Sequence, residues 1–176
     1  VHNQICSGFK PEMMYDFEKI FKDDIELFKM AHEETGADGS KWLWTHAGVT
    51  SGWLDKTLIP NMMNPRFRLA EIVKEFDPVG KSPAELINFA WSIRMSTMYN
   101  VDTYSGGIDS WAGPLWVRPQ ILNYWSIPVY NQVVGHTPQS DIWIVEADPD
   151  GVPFDGYKLH YIDCLEYGSE KGFVIE

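Results

Sequence analysis

Residues 129–136, Val-Tyr-Asn-Gln-Val-Val-Gly-His, decide how the chain is read. A β-branched and aromatic run of this kind, closed by a glycine, predicts a strand that stops at a turn, with His136 just beyond its end. Residues 41–48, Lys-Trp-Leu-Trp-Thr-His-Ala-Gly, repeat the arrangement. A short aromatic strand runs into His46, and Gly48 permits a tight turn. Sheets of α/β proteins present their ligands at strand ends. A neutral imidazole fixed there, beside small residues, suits a divalent transition metal. The plainer alternative is a pair of hydrogen-bonded histidines at a sheet rim, and both readings stand at this level.

Outward from 129–136, residues 141–148, 157–168 and 171–176 are further β-branched or aromatic runs, separated by turn residues at 138–140, 149–156 and 168–171. A mainly antiparallel sheet is therefore expected to close the chain. Towards the N-terminus, Phe17, Phe21, Ile25 and Phe28 recur at helical spacing among acids and lysines. They predict an amphipathic helix that starts near Pro11 and ends at Thr35 and Gly36. Residues 54–100 read as helical, with periodic stretches at 64–76 and 82–100 either side of a turn at 78–81. Ser82, Pro83 and Glu85 form a helix-start signal. Residues 104–120 are rich in glycine and aromatics without a period, as in an ordered functional loop or a buried irregular segment. The fold class expected is α/β, in one domain over 1–176, with 54–110 as a helical insertion or cap-like region.

The chain has 176 residues, 14 Lys and Arg against 25 Asp and Glu, and a formal net charge of −11, which disfavours binding to a nucleic acid backbone. With 44% hydrophobic residues it can bury a core. No apolar run approaches the roughly 18 residues of a membrane span, and no basic-then-apolar leader opens it. Cys6 and Cys164 form no CxxC pair, so neither a zinc ribbon nor a disulfide framework is indicated and a cytoplasmic setting is expected.

Arg118, in Gly-Pro-Leu-Trp-Val-Arg-Pro-Gln at 113–120, stands between residues that stiffen its backbone. A guanidinium can grip two phosphate oxygens at once. On composition alone, a pairing with one of the many carboxylates competes with that role.

Residues 44–49 (WTHAGV), 113–118 (GPLWVR) and 133–137 (VVGHT), in this order, resemble the later motifs of the calcineurin-like metallophosphoesterases. The branch with serine/threonine protein phosphatases and symmetrical diadenosine tetraphosphatases is the most similar. Residues 162–169 (IDCLEYGS) are similar to that family's closing strand, although the glycine usual before the cysteine is absent and Asp163 directly precedes Cys164. The resemblance implies a partial metallophosphoesterase β-sandwich with flanking helices. It also implies hydrolysis of a phosphoester substrate at a site holding two divalent ions, manganese, iron or zinc. His46 and His136 would match two histidine ligands of one ion, and Arg118 the catalytic arginine that orients the phosphoryl group.

The family's earlier Asp-x-His, Gly-Asp-x-x-Asp and Gly-Asn-His-Asp/Glu segments are not found in these residues. The opening Val1-His2 is similar to the pair of residues that commonly succeeds the last of those segments, so the chain is expected to be the C-terminal portion of such an enzyme. Two imidazoles make a poor catalytic site by themselves, and the isolated chain is expected to bind metal weakly or not at all and to turn over little substrate. Half a sandwich would expose apolar surface, which a second copy or the N-terminal portion is expected to cover. The alternative is a non-catalytic fragment or binding module that keeps the scaffold.

Other residues attract weaker readings. His32 is expected at a helix end and His160 in a strand, both without a ligand role, and His2 is given none. Asp109 and Asp163 fall near the motif loops and could support a histidine, although ordinary loop acids are the simpler reading. Trp42, Trp44, Trp53, Trp111 and Trp116 could line the site or fill the core, and the core is preferred.

Overall fold

The turn at 36–40 folds Ala31–Thr35 (β1) back onto Lys41–Thr45 (β2) as an antiparallel pair. Gly36 N–H donates to the Ser40 carbonyl at 2.8 Å, and Gly39 supplies the left-handed backbone, φ 84°, that the turn needs. The computed structural model describes residues 11–24, 27–64, 76–101 and 106–164. Val1, His2, Cys6 and Ile25, most of the helical stretch at 64–76, and the runs beyond Cys164 lie outside the described residues.

The hairpin corrects the expectation of one helix reaching Thr35. The helix there, Met14–Asp23 (α1), stops at Asp24, and Phe28 returns to pack its ring 4.4 Å from that of Phe21. His32 consequently lies on β1, opposite Trp44, and not at a helix end. Polar residues 32–34 carry no strand signal of their own. Pairing with Trp42–Trp44 and the glycine turn decide their state, an instance of tertiary context overriding local propensity.

Among the described residues five strands form one sheet in the order β1-β2-β3-β5-β4, with Tyr130–Val134 as β3, Trp143–Val145 as β4 and Leu159–Tyr161 as β5. The outer pairs are antiparallel, whereas β2, β3 and β5 run parallel at the centre. The sheet is therefore mixed, and the expected mainly antiparallel arrangement is wrong. The physical reason is a skipped place. The chain leaves β3, passes over the neighbouring slot to form β4 at the edge, and returns antiparallel to β4, so that β5 enters the slot beside β3 in the same direction.

The crossover from β2 to β3 carries most of the helical mass. Ser51–Trp53 (α2), a π-helical turn Leu54–Leu58 and Ile59–Met63 (α3) make one continuous run. Pro83–Ser92 (α4) begins at the expected signal, with the Ser82 and Glu85 side chains each bonded to the other's backbone N–H. It ends earlier than the stretch 82–100 predicts: Arg94 turns left-handed, φ 54°, and a 3-10 turn follows at Ser96–Tyr99. Pro119–Trp125 (α5), which sequence periodicity does not mark, starts directly after Arg118. Among the described residues no helix is long and apolar enough to cross a membrane.

Leu43, Trp53, Leu58 and Ile87 centre one buried apolar cluster, and Val117, Leu122, Val134 and Tyr161 another. Of Trp42, Trp44, Trp53, Trp111 and Trp116, only Trp53 is fully buried, its indole N–H donating to the Thr97 carbonyl at 2.9 Å. Trp42 and Trp44 are partly buried, and Trp111 and Trp116 face solvent, so the preference for the core holds for Trp53 alone.

Gln132, fully buried on β3, ties the loop after β2 to the sheet. Its amide donates to the Val49 carbonyl at 3.0 Å and accepts from the Val49 N–H at 2.8 Å. Replacing it with leucine keeps the volume but orphans both backbone groups. Gln132→Leu is expected to lower stability by about 2 kcal/mol, measured by urea denaturation, and an unchanged midpoint would contradict the structural role given to the amide.

Candidate functional site

Each of the three parallel strands delivers one polar side chain past its carboxyl end. Thr45 on β2 is in register with Val134 on β3, which is in register with Tyr161 on β5. His46 follows Thr45 directly, and His136 and Asp163 each lie two residues beyond their strands. The Gly135 N–H donates to the His46 carbonyl at 2.9 Å and the Ile162 N–H to the Val134 carbonyl at 2.9 Å, so the alignment persists past the strand ends. His136 and Asp163 each occupy the centre of a three-residue turn, closed from Thr137 N to the Gly135 carbonyl at 2.7 Å and from Cys164 N to the Ile162 carbonyl at 2.9 Å. His136 adopts φ 66°, a strained conformation for a residue with a Cβ and one that clusters at functional positions.

The two imidazoles meet. His46 Nε2 lies 3.0 Å from His136 Nδ1, with ring centroids 4.8 Å apart and planes inclined at 62°. One ring donates to the other according to tautomer. His136 Nε2 is buried and has no hydrogen-bond partner among the described residues. The edge of Trp116 packs against the His136 ring at 5.9 Å. Desolvation, His46 and the Arg118 charge together push the His136 pKa down to about 4. The His46 pKa also falls, through burial of part of its ring, and Asp163 opposes that fall by favouring the charged form. Both rings are thus held in the neutral form.

Arg118 closes the second side of the site. Its Nε donates to the Gly106 carbonyl at 3.1 Å, its Nη1 to Thr137 Oγ1 at 3.3 Å, and its backbone N–H to the Gly107 carbonyl at 3.1 Å. Among the described residues it forms no ion pair with a carboxylate. Gly107 is required here: φ is 98°, and a Cβ would meet the Trp116 carbonyl oxygen at 1.9 Å. Gly48 plays the same part behind His46, with φ 109° and Leu122 at 2.4 Å from any Cβ.

The three residues singled out by sequence, His46, His136 and Arg118, therefore converge. Asp163 joins them electrostatically, its charge favouring the protonated form of His46, whereas Asp109 accepts the Trp111 N–H within its own turn. His160 is buried within β5, with its pKa pushed down to about 4, mainly by burial. Sequence reasoning missed Thr137 as the partner of Arg118, although it stands next to His136 in the motif at 133–137. It also missed Lys29 and His32, which line a cavity of about 450 Å³ beside His46. His32 reaches that cavity only because β1 is a strand.

Two nitrogens bound to one ion at about 2.0–2.1 Å are roughly 2.8–3.4 Å apart for angles between 90° and tetrahedral. The observed 3.0 Å fits, provided each ring carries its proton on the other nitrogen. Among the described residues no group of three or more His, Cys, Asp or Glu side chains could hold an ion. Searches of protein-family models, curated proteins and solved structures find no match to this chain.

The depressed His136 pKa has a measurable consequence. Between about 4 and the ordinary 6.5, the unfolded chain binds more protons than the folded one, so the histidine's contribution to stability is fully present above 6.5 and is lost as pH falls through 4. His160 adds a slope of the same sign. Stability from urea denaturation is expected to rise from pH 4.5 to 7. His136→Asn, which tolerates the left-handed backbone, should remove part of that rise and leave the His160 part. An identical pH profile in the variant would contradict the assignment.

Proposed function

We propose that His46 and His136 bind one divalent cation and that Arg118 holds the phosphoryl group of a phosphoester, in the manner of a calcineurin-like metallophosphoesterase. The observation that carries this reading is the 3.0 Å separation of His46 Nε2 and His136 Nδ1 at the aligned ends of parallel strands. Three further features support it. Both imidazoles are kept neutral, which is the ligating form. The site's arginine forms no ion pair with a carboxylate among the described residues, and hydrogen bonds to Gly106 and Thr137 hold its guanidinium in place. The Gly135 N–H bond to the His46 carbonyl keeps the two histidines' strands aligned past their ends.

The bound ion would supply Lewis-acid polarisation of the phosphoryl oxygens. The chain's own residues do the rest. Parallel pairing fixes the approach of the two rings, and Trp116 restricts water on one side of His136. Arg118 presents charge-assisted donors to the anion, and Asp163 strengthens His46 as a donor by its negative field. The ligand set requires groups beyond these two, and the described residues by themselves are expected to give weak metal affinity and little turnover.

Calorimetric titration with manganese tests the reading. His46→Ala or His136→Ala should each weaken binding at least about tenfold. Arg118→Ala should leave metal affinity within about twofold and weaken binding of inorganic phosphate about tenfold or more. Unchanged metal affinity in either histidine variant would overturn the proposal, as would rapid hydrolysis of an aryl phosphate by both variants.

A further inference from the structure

A cavity of about 650 Å³ opens next to Thr137, the residue that accepts from Arg118. Its size lies within the range of small-molecule sites. One wall is α5 with Tyr124, and the other is β4 with Trp143. Both rings are about half exposed, at 47% and 41%, so each offers apolar surface to an occupant. They are not loose. Trp143 stacks on Tyr161 at 4.8 Å, and the Tyr161 hydroxyl donates to Asn123 on α5, which ties the two walls together. Gln120 and Gln139 add amide groups to the lining, and the Gln139 amide is fixed by donating to the Thr137 carbonyl at 3.1 Å. Asp148 also lines the cavity, and its carboxylate accepts from the Asp150 and Val152 N–H groups. A second anionic group on the ligand would be unfavourable there.

We infer that this cavity receives the organic group of the phosphoester, and that the substrate is a monoester of a flat aromatic alcohol. The inference rests on the phosphoester reading and extends it to substrate class. Thr137 provides the continuity: it touches the guanidinium on one side and the cavity on the other. An anion held at Arg118 would stand beside Thr137 and so next to the cavity that Tyr124 and Trp143 line. Aromatic rings gain from stacked or edge contacts with such walls, which a short aliphatic group cannot make. The neutral amides accept a polar ring edge, and Asp148 disfavours a second phosphate.

The test compares phenylphosphonate with methylphosphonate, which share the anionic head, differ only in the ring and are not hydrolysed. Binding to the full chain is followed by heteronuclear NMR with equimolar zinc, which is diamagnetic. Phenylphosphonate should bind about tenfold more tightly, with shifts at Tyr124, Gln139 and Trp143. Trp143→Ala should abolish the difference while leaving methylphosphonate affinity unchanged, and Trp143→Phe should restore most of it. Arg118→Ala should weaken both ligands alike. Equal affinities for the two ligands would overturn the cavity assignment and leave the phosphate reading standing. A preference for phenylphosphonate that survives both Trp143→Ala and Tyr124→Ala would also overturn it, because the ring would then sit elsewhere. Binding of neither ligand would sink both readings.

Discussion

Everything that resembles a site in this protein depends on three short strands running the same way in one register. Thr45, Val134 and Tyr161 are neighbours across the sheet, so the residues just beyond each of them emerge along one edge. His46 and His136 are 90 positions apart in sequence, yet their ring nitrogens come within 3.0 Å because strand pairing, not local chain geometry, sets the distance. A slip of one residue in β2 against β3 would turn the side chains of one strand to the opposite face and separate the rings. The buried polar contacts on β3 oppose such a slip. Gln132 can satisfy Val49 in one register only, and leaving that pair of backbone groups unmet in the interior is costly.

Past the strand ends, the backbone departs from regular structure in ways that serve placement. The turn centred on His136 reverses the chain within three residues and holds a conformation that side-chain-bearing residues avoid. Strain of this kind persists where surrounding contacts over-determine it. Here those contacts are the Gly135 bond to His46 and the packing of Trp116 on the imidazole. The environment that positions the rings also keeps His136 uncharged, since burial, the neighbouring His46 and the Arg118 charge all act against its protonation.

The sequence made the site more legible than the sheet that builds it. Strand runs ending in a glycine or a small residue beside a histidine pointed to His46 and His136 because residue type and local spacing are short-range information. The direction of β5 is not: the runs at 141–148 and 157–168 look like a hairpin continuing from β3, and nothing local says that the chain skips a slot before pairing. Asp163 therefore read no differently from Asp109 until the parallel arrangement placed it at the same edge. The helix expected to reach Thr35 failed for a related reason. Residues 32–34 are polar and follow a helical pattern, and only their partners on β2 make them a strand. The capping box at Ser82 and Glu85, by contrast, is wholly local, and it forms where the residues predict.

The long crossover between β2 and β3 has a consequence for how such a protein can diversify. It leaves from and returns to two strands whose mutual alignment is held by their own ladder and by Gln132. Between the parts of it that brace the site, Val49 at one end and the run from Gly106 to Trp125 at the other, the helical span can change in length without altering the spacing of the two imidazoles. Placement of the two rings is then a property of the sheet edge, and the helical span above it is released from that constraint.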